Sequence, residues 1–435
     1  MTAIDHSDDG RGDVDGAGAR DARYATDTTV LGHPVDDALA ESLIEVAARV
    51  TGGAVADYIP ELALADRDAF GVSMASVLGR VYGAGDREAL FTIQSISKPF
   101  VYALALTELG PEEVLRHVGV EPSGEPFNAI SLDPAGRPAN PLINAGAIVT
   151  TSLIPAADAA ERFARVRDIL SRFAGRELDL DEDVYRSEAK TGHRNRALAG
   201  LTLAAGVLGT DDVDDATDPY FRQCSLLVST TDLALMGATL ANGGVHPLTR
   251  ERVVEEIVAR DTLSLMATCG MYDRSGAWVF RVGMPAKSGV GGGIVAVKPG
   301  EFGAGVFSPP LDPAGNSSRG VALLERVSAR SGLHMFDHTA EPSSPMGGIT
   351  IGHDEGAVTM ALRGELDFIA AEQVVHDAGR LLEHTGATTL RFDFADVTRV
   401  AEIAARLLRA TMVEADAAGI AVQVVNDSTG FSGGG

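Results

Sequence analysis

Apolar residues recur along this chain with two different periods, and the changes of period predict its helices and strands. A helix is predicted after the acidic pair Asp36-Asp37 by apolar residues three or four positions apart: Leu39, Leu43, Val46, Ala47 and Val50. Residues 70–74 and 77–82 are short apolar runs punctuated by glycine, which predicts the two strands of a hairpin. A strongly apolar helix is then predicted over residues 99–108.

The pattern changes again in the second half of the first 335 residues. Helical segments and loops predominate over residues 110–265. Strands are predicted at 277–283, 292–298 and 303–308, separated by glycine and proline turns, and a helix at 320–331 follows. Helix, hairpin, helical insertion, three strands and helix make an α/β domain with one antiparallel sheet.

A second, smaller unit is predicted near the C-terminus. Residues 336–347 read as a linker because Pro, Ser and Gly cluster in them. Beyond them we expect strands at 349–351 and 357–362, an amphipathic helix around residues 374–382, a strand at 389–394, a helix at 404–415 and a strand at 420–425. The predicted domains are therefore residues 35–335 and 348–428, with a disordered acidic tail at 1–34 and a flexible tail at 429–435.

Charge and composition narrow the classes of function. The 435 residues carry a formal net charge of -25, which disfavours binding to nucleic acid or to an anionic membrane. The N-terminus is acidic where a signal peptide would be basic, and the most apolar stretch, residues 198–209, is too short to cross a bilayer and predicts a buried helix. We expect a cytoplasmic protein whose Cys224 and Cys269 are reduced core thiols, with no metal-ligand cluster and no cofactor.

Candidate chemistry begins with Ser95 and Lys98 at the start of the predicted helix 99–108. Residues three apart share a helix face, and a lysine kept neutral by burial can take the proton of a serine hydroxyl. Free N–H groups at the helix start would also favour an oxyanion there. Ser187 and Lys190 have the same spacing, but they lie in a highly charged run, so position favours Ser95.

Further motifs follow along the chain, and their order resembles that of known enzyme families. Lys287-Ser288-Gly289 after a Ser-x-x-Lys helix is similar to the order in serine β-lactamases and penicillin-binding proteins. Six segments together closely resemble the serine-dependent glutaminases over about residues 35–335: 94–98, 140–147, 184–196, 220–225, 269–273 and 286–293. The resemblance implies a β-lactamase/D,D-peptidase-like fold with a helical subdomain, and hydrolysis of L-glutamine to L-glutamate and ammonia.

Carried over to this chain, the resemblance also implies roles for individual residues. Ser95 would be the nucleophile and Lys98 its base, Lys287 would belong to the catalytic set, and either Tyr220 or Tyr272 would pass a proton to the leaving ammonia. The substrate would be bound by Tyr58, Gln94, Ser95, Asn144, Glu188, Asn195, Tyr220, Tyr272 and Val290. In physical terms, Glu188 suits the ammonium of a free amino acid, Asn144 and Asn195 suit its carboxylate, and the N–H groups of Ser95 and Val290 suit an oxyanion. A homodimer or homotetramer is expected from the resemblance.

The C-terminal unit resembles the STAS domains of anti-sigma-factor antagonists in Gly364-Glu-Leu-Asp367 and in residues 392–400. Those antagonists carry a phosphorylatable serine where this chain has Ala401-Glu402-Ile403-Ala404, so no hydroxyl is available for a phospho-switch. We interpret the unit as a regulatory domain with a protein partner, or as a structural one. The alternatives for the whole chain are β-lactamase, D,D-peptidase or esterase activity on the same fold, or a non-catalytic regulatory protein.

Overall fold

The computed structural model describes residues 34–123, 132–337, 345–352 and 356–431. Residues 1–33, most of the predicted linker and the last four residues lie outside the described residues. Helices in the larger domain are α1 Pro34–Arg49, α2 Pro60–Ala63, α3 Ser97–Leu109, α4 Pro111–His117, α5 Asn144–Ser152, α6 Ala159–Ala174, α7 Glu182–Thr191, α8 His193–Ala204, α9 Val213–Cys224, α10 Thr230–Ala241, α11 Glu256–Cys269, α12 Ser275–Arg281 and α13 Ser318–Ser331.

Five strands of this domain form one antiparallel sheet in the order β2-β1-β7-β6-β5. They are β1 Gly71–Ser76, β2 Val81–Gly85, β5 Ala286–Ser288, β6 Gly293–Lys298 and β7 Phe302–Phe307; the short strands β3 Phe91–Thr92 and β4 Leu227–Val228 pair separately. The predicted hairpin is confirmed as β1 and β2, shifted by a few residues towards the C-terminus.

Both faces of the sheet are covered, so β1, β6 and β7 are buried along their whole length. Apolar residues of α1 and α13 pack on one face, and α10 lies on the other. Glycine is required where α10 touches the sheet, because a Cβ on Gly303 would lie 2.1 Å from the amide nitrogen of Ala238. This close contact fixes the sheet against the helical part of the domain.

The helical subdomain is built around α3, in which every residue from Ser97 to Leu106 is buried. Helices α6 and α11 pack against it, and α5 joins it to α8 and α9. The predicted apolar helix is thus the centre of the domain. By contrast, the stretch 198–209 that was expected to form a buried helix is α8 only as far as Ala204, and only one face of α8 is buried.

One predicted strand is wrong. Residues 277–283 belong mainly to helix α12, and the Lys287 strand begins only at Ala286. Aromatic and β-branched residues favoured a strand, but Trp278 and Val282 are four apart and both buried, whereas Phe280 is 84% exposed. Buried residues four apart are typical of a helix. Over only seven residues, this spacing cannot be distinguished from the alternation of buried and exposed residues in a strand.

The smaller domain has a four-stranded sheet in the order β11-β10-β9-β8. Its elements are β8 Met346–Gly352, β9 Ala357–Leu366, α14 Phe368–Thr385, β10 Thr389–Val400, α15 Glu402–Ala417 and β11 Ala421–Val425. β10 is parallel to both of its neighbours, and β8 is antiparallel to β9. The predicted βαβ ending is confirmed, with β10 extending six residues beyond its predicted end.

The two domains share a buried polar contact. Glu372 on α14 is 2% exposed, and it accepts a hydrogen bond of 2.7 Å from the Tyr82 hydroxyl on β2. Its second carboxylate oxygen lies 3.4 Å from the Arg80 guanidinium. Beside this contact, Phe368 packs edge-on against Phe302 of β7. The smaller domain therefore covers an edge strand of the larger sheet.

Candidate functional site

The Ser95 region is a short 3-10 helix, Gln94–Ile96, that leads directly into α3. Ser95 and Lys98 are 7% and 1% exposed. The similarly spaced Ser187 and Lys190 lie on α7, where the Ser187 hydroxyl donates to Glu61 and Lys190 is exposed. Burial therefore separates the two Ser-x-x-Lys pairs: only Lys98 is held away from water, as a neutral base requires.

Burial lowers the pKa of Lys98 to about 8, although the nearby Glu188 carboxylate acts in the opposite direction. The side-chain nitrogen of Lys98 donates to Asn144 Oδ1 at 2.6 Å. It also lies 5.9 Å from the centre of the Tyr220 ring. A lysine with this pKa has a substantial neutral fraction at mildly alkaline pH, so it can accept a proton there.

Asn144 is the first residue of α5, and both ends of its amide are used. Oδ1 accepts from Lys98, and Nδ2 donates to Asn195 Oδ1 at 3.1 Å. The sequence predicted that Asn144 would donate to a substrate carboxylate. In this structure Asn144 connects Lys98 to Asn195, so the orientation of the Asn195 amide depends on that of Asn144. Its donation to a substrate carboxylate stays a prediction.

Glu188 forms the second polar centre of the site. It is 7% exposed on α7, and its Oε1 accepts from the Tyr58 hydroxyl at 2.7 Å. Burial raises the pKa of Glu188, while hydrogen bonds from Tyr58 and Gln94 partly oppose that rise. Half of the Tyr58 side chain is exposed, yet its hydroxyl points inward. A buried carboxylate that keeps two neutral donors is suited to an incoming cation.

Tyr272 and Lys287 meet at one carbonyl group. The Tyr272 hydroxyl donates to the Ser288 carbonyl at 3.0 Å, and the Lys287 side-chain nitrogen donates to the same oxygen. Lys287 is fully buried, and its nitrogen lies 4.2 Å from the centre of the Tyr272 ring. Burial, with the neighbouring Lys98, holds the pKa of Lys287 well below its usual value. Burial raises the pKa of Tyr272, and the nearby Ser95 side chain partly opposes that rise.

Most of the predicted substrate residues line one cavity of about 650 Å³. They are Tyr58, Gln94, Ser95, Asn144, Glu188, Asn195, Tyr220 and Val290. Lys98 and Lys287 do not line it, and Tyr272 lines an adjacent cavity that shares Asp273 with this one. Tertiary structure thus brings together residues from four α-helices, the 3-10 helix, the loop before α2 and the β5–β6 turn.

Cys224 and the loop 311–315 line the cavity and were not predicted to do so from the sequence. Cys224 is a free, buried thiol as predicted, but it also borders the cavity, one helical turn after Tyr220 on α9. Its position four residues from a predicted site residue was the available signal. The loop 311–315 also lines the cavity, and its Asp-Pro-Ala-Gly composition indicated only a turn.

No group of three His, Cys, Asp or Glu side chains among the described residues is arranged to hold a metal ion. No helix in the described part of the chain is long and apolar enough to span a membrane.

Comparison with known proteins places this chain in a family. The model of the family described as Glutaminase matches residues 53–336, and the STAS domain model matches residues 349–429. The chain belongs to the glutaminase family. A Corynebacterium glutamicum protein named Glutaminase is 41% identical over 400 residues, covering 91% of this chain and 95% of the relative.

Two further comparisons show how far the glutaminase likeness extends. A Bradyrhizobium diazoefficiens protein named Glutaminase 1 is 52% identical over 66% of this chain, and this chain spans about half of that relative, with 47% of it aligned. The solved structure described as "Crystal Structure Analysis of Mglu in its glutamate form" superimposes with a TM-score of 0.70 and 39% identity, covering 91% of this chain and 99% of that one. Both domains of this glutaminase therefore have a counterpart of known structure, and the predicted β-lactamase-like fold with a C-terminal STAS domain is confirmed.

Proposed function

We propose that this glutaminase hydrolyses the side-chain amide of L-glutamine through an ester of Ser95, with Lys98 as the general base. The observation that carries the proposal is the buried Lys98, whose pKa falls to about 8. It lies three residues from Ser95, and both Ser95 and Glu188 line the cavity. A serine, a neutral amine and an anionic pocket together fit an amide substrate that carries its own ammonium group.

The first half of the reaction is acylation. Lys98 takes the Ser95 hydroxyl proton as Ser95 Oγ attacks the amide carbon, and the backbone N–H groups of Ser95 and Val290 stabilise the oxyanion. The carbon–nitrogen bond then breaks, and ammonia leaves after gaining a proton. Tyr272 is the favoured donor of that proton because the Ser95 side chain is near enough to act on its pKa, whereas the side chains that act on the pKa of Tyr220 include Cys224 and Glu188.

The second half is hydrolysis of the ester. Lys98 first returns the proton it took from Ser95 to Tyr272, which restores both groups. Water then attacks the γ-glutamyl carbon, its proton passes to Lys98 and from there to Ser95 Oγ, and glutamate leaves. Lys287 contacts the Ser288 carbonyl and the Tyr272 ring and does not line the cavity. We therefore propose that Lys287 positions Tyr272 and does not contact the substrate directly.

Recognition of the substrate follows from charge. Glu188 would bind the α-ammonium with Tyr58 and Gln94 as its supporting donors. Asn195 would bind the α-carboxylate, with its amide oriented by Asn144. Binding the ammonium would also offset the cost of burying the Glu188 charge, which favours a free amino acid over a neutral amide or a β-lactam.

The nucleophile is tested by comparing Ser95→Ala with Ser187→Ala, which removes the serine of the other Ser-x-x-Lys pair. Ammonia release from glutamine should be lost in the first and retained in the second. Hydroxylamine added to the wild-type protein should yield γ-glutamyl hydroxamate, because it competes with water for the ester. Wild-type turnover by Ser95→Ala would refute the proposal.

The homo-oligomer, the cytoplasmic location and the protein partner of the STAS domain stay predictions. The contacts of Glu372, together with the packing of α15 against α1 and α13, favour a structural role for the STAS domain within its own chain. Glu402, at the position of the phosphorylatable serine, is exposed at the first turn of α15.

A further inference from the structure

Two functional residues of this site have the same unusual backbone. Among the described residues, four that are not glycine have positive φ, and two of these are Gln94 at 49° and Tyr272 at 54°. A left-handed conformation is unfavourable for a residue with a side chain and persists only where its surroundings impose it. Here each of the two begins a three-residue 3-10 helix, Gln94–Ile96 and Tyr272–Arg274.

A serine three residues later completes each of these turns. Ser97 is the first residue of α3, and its hydroxyl donates to the Gln94 carbonyl at 2.8 Å. Ser275 is the first residue of α12, and its hydroxyl donates to the Tyr272 carbonyl at 2.9 Å. The sequences Gln-Ser-Ile-Ser and Tyr-Asp-Arg-Ser, at unrelated places in the chain, therefore form the same local structure.

Each serine oxygen also accepts a hydrogen bond, which directs its proton towards the strained carbonyl. Ser97 Oγ accepts from Gln223 Nε2 at 3.3 Å, and Gln223 Oε1 in turn accepts from Thr151 at 2.8 Å. Ser275 Oγ accepts from the backbone N–H of Met271 at 3.0 Å. Ser97 and Gln223 are fully buried and Ser275 is 6% exposed, so water does not compete effectively for these bonds.

We propose that Ser97 and Ser275 are positioning residues that hold the backbone of Gln94 and Tyr272 in the left-handed conformation needed for catalysis. The hydrogen bond from Ser97 fixes the turn that directs the Gln94 side chain towards Glu188. The same turn positions the hydroxyl of the next residue, Ser95. The Ser275 bond fixes the turn from which the Tyr272 hydroxyl donates to the Ser288 carbonyl, near Ser95. This inference depends on the proposed function, because it assigns its effect to Ser95 and Tyr272.

The test compares Ser97→Ala and Ser275→Ala with a matched control, Ser152→Ala. Ser152 is also buried, accepts a backbone N–H from Gly209 at 2.9 Å and donates to a carbonyl three residues back at 2.7 Å, but that carbonyl belongs to Val149 inside helix α5. All three variants lose a hydrogen bond from a serine hydroxyl to a backbone carbonyl. Only in Ser97→Ala and Ser275→Ala does that carbonyl belong to a site residue with positive φ.

We expect kcat for ammonia release to fall about ten- to hundredfold in Ser97→Ala and Ser275→Ala, because small misplacements of reacting groups are costly. The folded content of these two variants, monitored by circular dichroism, should fall no further than that of Ser152→Ala. The kcat of Ser152→Ala should stay at the wild-type value. If either alanine variant does not fold, the corresponding Ser→Cys variant replaces it, since a thiol fills the space but donates weakly.

Wild-type kcat in both site variants, with a loss of stability equal to that of Ser152→Ala, would overturn the inference. Ser95→Ala, measured beside them, separates this outcome from failure of the proposed function. If Ser95→Ala is inactive while the Ser97 and Ser275 variants are fully active, the nucleophile stands and the positioning role falls. If Ser95→Ala is active, the proposed function itself is wrong.

Discussion

Lys98 donates from its side-chain nitrogen to Asn144 Oδ1 at 2.6 Å, and the two residues lie in the first turns of different helices of the subdomain, α3 and α5. Because Lys98 is buried, a neutral amide is the kind of partner that satisfies it without adding a charge that would keep it protonated. The contact thus links the helix of the nucleophile to the helix that orients Asn195. It also leads to two predictions about pH.

The first prediction concerns the pH dependence of the wild-type protein. Since burial lowers the pKa of Lys98 to about 8, the neutral base becomes the main form only above that pH. We therefore expect kcat/KM for glutamine to rise with pH and to level off above about 8. Lys98→Arg, which stays protonated, should lose about a thousandfold or more in kcat/KM across the same range. A wild-type profile that is flat between pH 6 and about 9 would contradict this assignment.

The second prediction uses Asn144→Asp, which keeps the shape of the side chain and adds a negative charge. An adjacent carboxylate stabilises protonated Lys98, so its pKa should rise and the alkaline limb of kcat/KM should move upward by about one pH unit or more. The control is Asn242→Asp, at an asparagine that contacts the Val245 carbonyl in the turn after α10. That variant should keep the wild-type limb. An unchanged limb in Asn144→Asp would mean that Lys98 is not the titrating group.

The third prediction addresses recognition of the ammonium. Glu188→Gln removes the negative charge and preserves the side-chain size, and losing one partner of a buried ion pair costs about 2–5 kcal/mol. We expect kcat/KM to fall by about thirtyfold or more, mainly through KM. Glu61→Gln is the matched control, because Glu61 accepts from Ser187 nearby and does not line the cavity. Equal losses in the two variants would argue against a specific ammonium site at Glu188.

The wild-type acid limb should depend on the same carboxylate. Burial raises the pKa of Glu188, so its charge is lost at a higher pH than that of an exposed glutamate. As pH falls through that raised pKa, the protonated carboxyl no longer attracts the ammonium, and KM should increase. In Glu188→Gln this acid-side rise in KM should disappear, which steady-state kinetics from pH 4 to about 7 can measure.

The fourth prediction concerns the contact between the domains. Tyr82→Phe and Glu372→Gln should each lower the free energy of unfolding by about 1–3 kcal/mol, because each leaves a buried polar group with a weaker partner or none. Their effects should be less than additive in a double-mutant cycle, with a coupling of about 1 kcal/mol. Full additivity in chemical denaturation would show that the hydrogen bond does not connect the domains.

The pH dependence of stability gives this contact an additional test. Burial raises the pKa of Glu372, so the folded chain holds a proton there that the unfolded chain releases near pH 4.3. Stability from this group is therefore greatest at low pH and falls as pH rises from the unfolded pKa towards the raised folded one. Glu372→Gln should lack this decline, and denaturation at pH 4.5 and about 7 would reveal the difference.

The sequence by itself determined the outline of this protein. Helical spacing defined α1 and α13, glycine-bounded apolar runs defined β1, β6 and β7, and the two domains followed from the linker composition. Each of these features depends on residues close together in the chain. The spacing of the apolar residues that must be buried is therefore visible in the sequence. The proposal of Ser95 over Ser187 as the nucleophile also comes from the sequence, because an apolar helix and a charged one have different compositions.

Tertiary structure decided the rest. Residues 277–283 became a helix because packing of Trp278 and Val282 outweighed their strand propensity. The pairing of Lys98 with Asn144, the meeting of Tyr272 and Lys287 at one carbonyl, and the placement of Cys224 and loop 311–315 at the cavity all join residues far apart in the chain. Whether a lysine is neutral or a glutamate resists ionisation depends on burial and on such distant partners, which no local pattern records.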